Sequence, residues 1–251
     1  MKIRLDKLLV ERGLCATRER AQAMVLAGRV MVAEQKAQKP GAAIPDDATL
    51  RLLGEDLRYV GRGGLKLEAA LAHWAIDLKG RFCMDVGAST GGFTDCMLQH
   101  GAARVLAVDT GYGQIAHSLR IDPRVELRER TNARYLEPGS LPPGIGFLAM
   151  DVSFISATLV LPPVVAAIRG AAGPAPSLSE AVILVKPQFE AGREHIGKGG
   201  IVRDPAAHRL AIERVRACVA GLGAAFTDVI DSPILGAEGN REFLLLARFA
   251  T

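Results

Sequence analysis

Long apolar runs are missing from the 251-residue sequence. Stretches such as Ala181 to Val185 and Phe243 to Ala247 fall far short of the roughly 18 residues a bilayer-crossing helix needs. No membrane span is expected. The opening residues, Met1 to Arg12, scatter charges and lack an apolar core followed by a small-residue cleavage site, so the sequence predicts a cytoplasmic protein without a secretory leader. Cysteine is scarce. Cys15, Cys83, Cys96 and Cys218 fall in no CxxC or other metal-ligand spacing, and they read as small buried hydrophobes with neither disulfide nor metal.

Acidic charge is short at one end. Residues 1 to 30 hold Lys2, Arg4, Lys7, Arg12, Arg18, Arg20 and Arg29 against Asp6, Glu11 and Glu19, an excess that equals the +4 of the whole chain. Such a patch attracts polyanions by counterion release. Arg4, Lys7, Arg18, Arg20 and Arg29 are the candidate contacts to such a polyanion, and the alternative is a solvated helix face with no partner. Leu5, Leu8 and Leu9, then Ala21, Met24 and Val25, recur at helical spacing, with Thr17 placed to cap the second helix and Gly28 to end it. Strands are expected at Val30 to Val32 and Thr49 to Leu53. Residues 1–57 thus read as a small α+β domain, and residues 58–64, with Gly61-Arg62-Gly63-Gly64, as a hinge or linker.

Residues 65–251 change to helices alternating with strongly apolar strands, the signature of an α/β domain with a doubly wound, Rossmann-like parallel sheet. Strands are expected at Phe82 to Val86, Arg104 to Asp109, Phe147 to Val152, Ala181 to Lys186, Phe226 to Ile230 and Glu242 to Arg248. Gly170 to Ser179 reads as a flexible loop. Glu190 to Asp204, with Arg193, Lys198 and Arg203, reads either as a substrate lid or as a plain loop.

The first βα turn of this domain is Asp85-Val86-Gly87-Ala88-Ser89-Thr90-Gly91-Gly92-Phe93-Thr94. It is not a dinucleotide fingerprint, because Ser89 takes the second glycine position, and the only Gly-Lys pair, Gly197-Lys198, is followed by Gly199 rather than the Ser or Thr of a phosphate loop. Acid-x-Gly-x-x-x-Gly instead resembles motif I of the Rossmann-like S-adenosylmethionine methyltransferases. Asp109 ends the second strand, where a carboxylate accepts both ribose hydroxyls of a nucleoside. The candidate cofactor residues are Asp85, Gly87, Ser89, Gly91, Gly92, Phe93, Asp109 and Asn132, with plain turn residues as the alternative for Asp109 and Asn132, and the cofactor expected is S-adenosylmethionine.

Asp151 and Lys186 end apolar strands at the carboxyl edge of the expected sheet, where ionised groups are costly to desolvate unless they pair or act. Lys66 follows the Gly-rich hinge and Glu242 begins the last strand. Structural ion pairing is the alternative to a site. Tyr59-Val60-Gly61-Arg62-Gly63-Gly64-Leu65-Lys66-Leu67, Asp151-Val152-Ser153-Phe154-Ile155-Ser156 and Leu184-Val185-Lys186-Pro187-Gln188-Phe189-Glu190 closely resemble the TlyA-type ribosomal RNA methyltransferases. These join an RNA-binding domain of the ribosomal-protein-S-four type to an FtsJ-like catalytic domain. The resemblance covers nearly the whole chain and implies a catalytic tetrad of Lys66, Asp151, Lys186 and Glu242, with Glu238 as the nearby rival for the last place. Gly61 departs from relatives that often carry Ser there.

The expected reaction is attack of a ribose 2′-oxygen of structured, ribosomal RNA on a sulfonium methyl group. Lys186 either takes the hydroxyl proton or stabilises the developing alkoxide, and the sequence leaves both open. Base-amino methylation is disfavoured, since Asp151-Val152-Ser153-Phe154 has no proline to shape the turn that such enzymes use. The other functional class is a non-catalytic RNA-binding or ribosome-assembly factor that kept the fold. Methylation of a small molecule would leave the basic front domain without a purpose. RNA is the expected partner, with no DNA, no membrane and nothing in the composition that suggests a pore.

Overall fold

The protein is described by a computed structural model that covers residues 2–15, 17–26, 28–53, 58–171, 178–236 and 239–250. Contacts divide it into two compact units, Met1–Leu57 and Arg58–Thr251.

The smaller unit runs β1 (Lys2–Arg4), α1 (Leu5–Glu11), α2 (Arg18–Leu26), β2 (Val30–Val32), β3 (Gln35–Lys36), β4 (Ala43–Pro45) and β5 (Leu50–Leu52). Strand β1 pairs with β4, and β2 lies between β3 and β5. Leu5 and Leu9 of α1 bury against Ala21, Met24 and Val25 of α2 and against Val30. The Thr17 hydroxyl accepts the Arg20 N–H at 3.2 Å, and Gly28 leaves the helix at φ +66°, a conformation that costs glycine little. The unit has three more strands than the sequence pattern suggests. With at most three residues each, β1, β3 and β4 are too short to show alternation.

The larger unit continues with α3 (Gly63–His73), β6 (Phe82–Val86), α4 (Gly92–Gln99), β7 (Arg104–Val108), α5 (His117–Arg120), β8 (Val125–Arg128), β9 (Ile145–Met150), α6 (Ala157–Arg169), β10 (Glu180–Val185), α7 (Pro187–Glu190), α8 (Pro205–Gly221), β11 (Ala224–Asp231) and β12 (Phe243–Phe249). Its seven-stranded sheet has the order β11-β12-β10-β9-β6-β7-β8. All neighbours from β10 to β8 are parallel, whereas β12 runs antiparallel to both β10 and β11. Alternation places each strand residue on one of two faces. Ala181, Ile183 and Val185 of β10 pack on the side covered by α6 and α8. Val182 and Leu184 pack on the side of α3 and α4. This is a three-layer doubly wound fold, and its chain order reverses between β6 and β9, so a crevice opens at their carboxyl ends.

Residues 58–64 do not behave as a linker. Tyr59 is buried with Leu67, Cys96 and Met97, the Val60 N–H donates to the Asp95 carboxylate at 2.8 Å, and Gly63 already starts α3. A Cβ on Gly64 would overlap the Tyr59 ring, so this glycine serves close packing rather than flexibility. The sequence also left β8 out of its strand assignments. Residues 54–57, 172–177 and 237–238 lie outside the described residues, and with them most of the Gly170 to Ser179 loop, together with Glu238.

Candidate active site

The crevice at the β6/β9 switch point is a cleft of ≈ 310 Å³ bordered by Gly87, Ser89, Asp109, Asn132, Asp151 and Phe154, with Thr131 and Gln114 also on its wall. A neighbouring recess of ≈ 120 Å³ shares Gly87, Ser89 and Asp151 and adds Gly63, Gly92 and Phe93. The glycine turn shapes both. Gly87 has φ +88°, its N–H donates to the Val108 carbonyl at 2.9 Å, and a Cβ there would overlap the Asp151 carbonyl. Gly91, at φ +96°, caps α4 where a Cβ would run into Leu119. Ser89 adopts φ +48°, an uncommon conformation for a residue with a Cβ, as the backbone doubles back under the cleft.

Asp109 ends β7 with its carboxylate at this turn. Oδ2 accepts the Ser89 N–H at 2.8 Å and Oδ1 accepts the Gly111 N–H at 2.6 Å. Each carboxylate oxygen has a second lone pair, so two acceptor positions remain for a pair of hydroxyls. Asn132 borders the cleft, but its Oδ1 is used to accept the Arg134 N–H at 3.1 Å. Asp85 is a different case. It is fully buried beneath the turn and accepts the Thr94 hydroxyl at 2.6 Å, tying β6 to α4, while its other oxygen has no hydrogen-bond partner. Burial pushes its carboxyl up to about 7 against the Thr94 hydrogen bond, and it supports the turn without lining the cleft.

The four charged candidates form two pairs. Lys66 Nζ donates to Glu242 Oε2 at 2.6 Å, with the two side chains 9% and 2% exposed. Lys186 Nζ lies 2.6 Å from Asp151 Oδ1. It also donates to Ser153 Oγ at 2.6 Å, a partner the sequence did not single out. Strand pairing explains the convergence. Asp151 follows β9, Lys186 follows the adjacent β10, and Glu242 precedes β12, whose Phe243 pairs with Val185. Gly236 makes room for Glu242, since a Cβ there would overlap its carboxylate. The start of α3 reaches the same place, where a Cβ on Gly63 would stand 4.0 Å from Asp151 Oδ2.

A buried carboxylate missed by the sequence reading ties two of these segments. Glu190, 5% exposed, accepts the Ser156 hydroxyl at 2.5 Å and the Ala157 N–H at 2.7 Å, and so caps α6 from another element. Burial raises its carboxyl, opposed by those two donors. Its pairing could not be read from sequence, because it depends on β9 and β10 being neighbours. The segment Glu190 to Asp204, read as either a lid or a plain loop, is anchored at its far end, where Asn240 accepts the Val202 N–H and donates to the Gly200 carbonyl, both at 3.1 Å. Arg193 and Lys198, between the anchors, are exposed. The cysteines take no part. Cys83 and Cys96 are buried thiols pushed up to about 12 by desolvation.

In the smaller unit the basic residues are less independent than their number suggests. Arg4 and Arg18 both contact the buried Asp6 carboxylate, at 2.8 and 3.2 Å, and Arg4 foremost, with Gln22 and Arg18, holds that carboxyl well below the usual range. Lys7 is exposed and pairs with Glu11 at 3.4 Å. Arg20 and Arg29 are half-buried. Arg4, Lys7 and Arg18 are therefore the exposed members of the expected set.

Residues 59–249 match the FtsJ-like methyltransferase family and residues 3–47 match the S4 domain. The chain is 49% identical over 245 residues to "Putative rRNA methyltransferase YqxC" of Bacillus subtilis, covering 97% of this chain and 85% of that protein. It is 42% identical over 251 residues to "16S/23S rRNA (cytidine-2'-O)-methyltransferase TlyA" of Mycobacterium tuberculosis, covering 100% of this chain and 91% of the relative. Among solved structures, "Putative hemolysin from Streptococcus thermophilus" superposes with a TM-score of 0.71 at 44% identity, over 100% of this chain and 90% of the other. With the family match spanning the whole doubly wound unit and the relatives spanning both units, the chain belongs to the FtsJ-like methyltransferases, in the S4-domain-bearing TlyA group.

Proposed function

We propose that this protein transfers a methyl group from S-adenosylmethionine to a ribose 2′-hydroxyl of ribosomal RNA. The observation that carries this reading is the placement of Lys186, which contacts Asp151 and Ser153, two residues of the wall of the switch-point cleft. A cation and a carboxylate beside a cofactor cleft suit a hydroxyl that must lose its proton as its oxygen attacks. The M. tuberculosis relative, named as a cytidine-2′-O-methyltransferase of rRNA, supports the choice of atom and substrate.

The cleft fits the cofactor: two acceptor positions on Asp109 remain that would hold the hydroxyls of a nucleoside ribose, and the bare backbone at Gly87 would let a ligand approach the turn. When bound, S-adenosylmethionine supplies an electrophilic methyl group on sulfur. The chain's own part is to orient and to stabilise charge. Lys186 directs an N–H at the 2′-oxygen, Asp151 holds that ammonium, and the Lys66–Glu242 pair keeps α3 and β12 together at the edge of the site. Lys66, Asp151, Lys186 and Glu242 are the proposed catalytic set. Gly87, Ser89, Gly91, Gly92, Phe93, Asp109 and Asn132 form the proposed cofactor site, with Asp85 beneath it.

The S4 domain supplies RNA affinity through its basic residues, with residues 1–57 binding and residues 65–251 carrying the chemistry. Among the described residues no helix is long and apolar enough to cross a membrane. A cytoplasmic location is part of the proposal, because it is where a ribosomal substrate would be met. Incubating the protein with labelled S-adenosylmethionine and ribosomal subunits, then digesting the RNA to nucleosides for mass spectrometry, tests the reading. A 2′-O-methylated nucleoside is expected. A methyl group found only on a base, or none at all, would overturn it.

A further inference from the structure

We propose that Ser153 is a positioning residue of the methyl-transfer site, its hydroxyl fixing the direction in which Lys186 presents its N–H groups. The inference rests on the catalytic reading of Lys186. Two oxygens stand 2.6 Å from Lys186 Nζ, Asp151 Oδ1 and Ser153 Oγ, but they are not equivalent. The contact to Ser153 has the geometry of a hydrogen bond, whereas the equally close Asp151 Oδ1 does not and is buried without a hydrogen-bond partner. Asp151 therefore supplies charge to the pair and Ser153 supplies direction. Coulomb attraction is indifferent to angle, while a hydrogen bond weakens steeply once the donor turns away.

The hydroxyl is also in the right place to matter. Ser153 is exposed on the wall of the cleft, on the loop that joins β9 to α6. Having accepted one N–H from Lys186, it leaves the remaining N–H groups of the ammonium aimed by a fixed bond, and its own O–H is free to donate.

The loop is built to hold this bond. Its start is fixed by the Asp151 N–H on the Val86 carbonyl at 2.9 Å, and its end by Glu190, which grips Ser156 and Ala157 from the turn that Lys186 begins. Between these anchors Phe154 takes φ +64° and its ring meets Phe189 at 5.6 Å between centroids. A non-glycine residue there carries backbone strain, which persists only where the surroundings enforce it. Segments 151–157 and 186–190 are thus laced together on either side of the Lys186–Ser153 bond. The charged groups around the site also include the Lys66–Glu242 pair from α3 and β12, the buried Asp85 under the glycine turn, and Asp109 on the same cleft wall, each with a partner of its own.

Single-turnover methylation of ribosomal subunits by full-length Ser153→Ala and Ser153→Thr tests the proposal, with dissociation constants for cofactor and RNA measured alongside. Ser153→Ala is expected to lower the rate at saturation about tenfold or more, with both dissociation constants within about twofold of wild type, and Ser153→Thr to recover most of the rate. A loss of less than about fivefold in Ser153→Ala overturns the proposal. So does a rate loss matched by weaker RNA or cofactor binding, or a threonine variant no better than alanine. A wild-type protein that leaves ribose unmethylated overturns the underlying reading as well, and so separates the two failures.

Discussion

Gly87 and Asp151 touch across the β6/β9 crevice so closely that no side chain fits between the turn and the strand end: a Cβ at 87 would overlap the Asp151 carbonyl oxygen. The glycine turn and the acid of the charged cluster are thereby packed backbone against backbone. Gly87→Ala should both strain the backbone, at φ +88°, and push Asp151 away. We expect a lower melting temperature together with weakened cofactor binding. Asp109→Ala should behave differently, losing about tenfold or more in S-adenosylmethionine affinity by calorimetry, since hydrogen bonds to a charged group are worth about 1.5 to 3 kcal/mol. Wild-type affinity in a folded Asp109→Ala protein would show that the ribose is held elsewhere.

Asp85 makes stability depend on pH with a definite sign. Its folded-state carboxyl, raised to about 7 by burial, binds a proton more tightly than the ordinary value of 3.8 in the unfolded chain. The stability it contributes is complete below about pH 4 and is lost as pH rises through about 7. Asp85→Asn removes this titration and can still accept the Thr94 hydroxyl. Relative to wild type, the variant should gain about 2 to 3 kcal/mol between pH 5 and pH 8, read from urea unfolding at both values. A stability difference that is flat with pH would exclude the buried, raised carboxyl.

Breaking the Lys66–Glu242 pair should cost more than losing it altogether. Removing one partner strands the other at a site nine-tenths shielded from water, at a cost of about 3 to 5 kcal/mol. Glu242→Gln should therefore unfold earlier in urea than the double variant Lys66→Met/Glu242→Gln, while both lose methylation. Equal unfolding midpoints would mean that the pair is more hydrated than its 2.6 Å contact in a closed site suggests.

The basic face of the smaller unit should separate into two kinds of residue. Lys7→Ala removes an exposed charge, and RNA affinity should weaken, with the slope of log affinity against log salt falling by about 0.7 to 0.9 for a lost phosphate contact. Arg18→Ala also takes a partner from buried Asp6, so it should lower the unit's thermal stability as well. Filter binding across a salt series and thermal melts distinguish them. An Arg18→Ala protein that loses RNA affinity with no change in melting would show the Asp6 contact to be structurally idle.

Much of the larger unit is legible in sequence because its strands are buried on both faces and read as apolar runs ending in a charge, as Val182 to Lys186 does. β8 escapes that rule. It lies at the sheet edge, half-buried, with Glu126 and Arg128 bound to each other at 2.8 Å, so its four residues look like loop. The Gly61 to Gly64 run misleads for a related reason. Composition signals freedom, but packing on Tyr59 and the overlap a Cβ at Gly61 would make with the Thr90 hydroxyl show glycines chosen for close approach. Asp85 was legible as part of the turn but not as its hidden support, because that role depends on Thr94 coming back over it. Ser153 and Glu190 have no sequence signal of their own. Each is an ordinary residue until neighbouring strands bring it to a partner more than 30 positions away.

Because β12 enters the sheet antiparallel, the residue that precedes it, rather than one that follows it, stands at the crevice, and Lys66 waits for a partner 176 positions later. As the chain emerges from a ribosome, β6, β9 and β10 can assemble with Asp151 and Lys186 already opposed. Lys66 meanwhile has no counter-charge until Glu242 arrives, and Glu242 is not anchored until β12 slots between β10 and β11. A chain interrupted before residue 242 would hold the glycine turn, Lys66, Asp151 and Lys186, but it would lack Glu242 and leave β10 without its β12 neighbour along one edge. One strand thus completes both features: Glu242 stands directly before β12, so a molecule with the full charged cluster in place is also one whose β10 and β11 are joined.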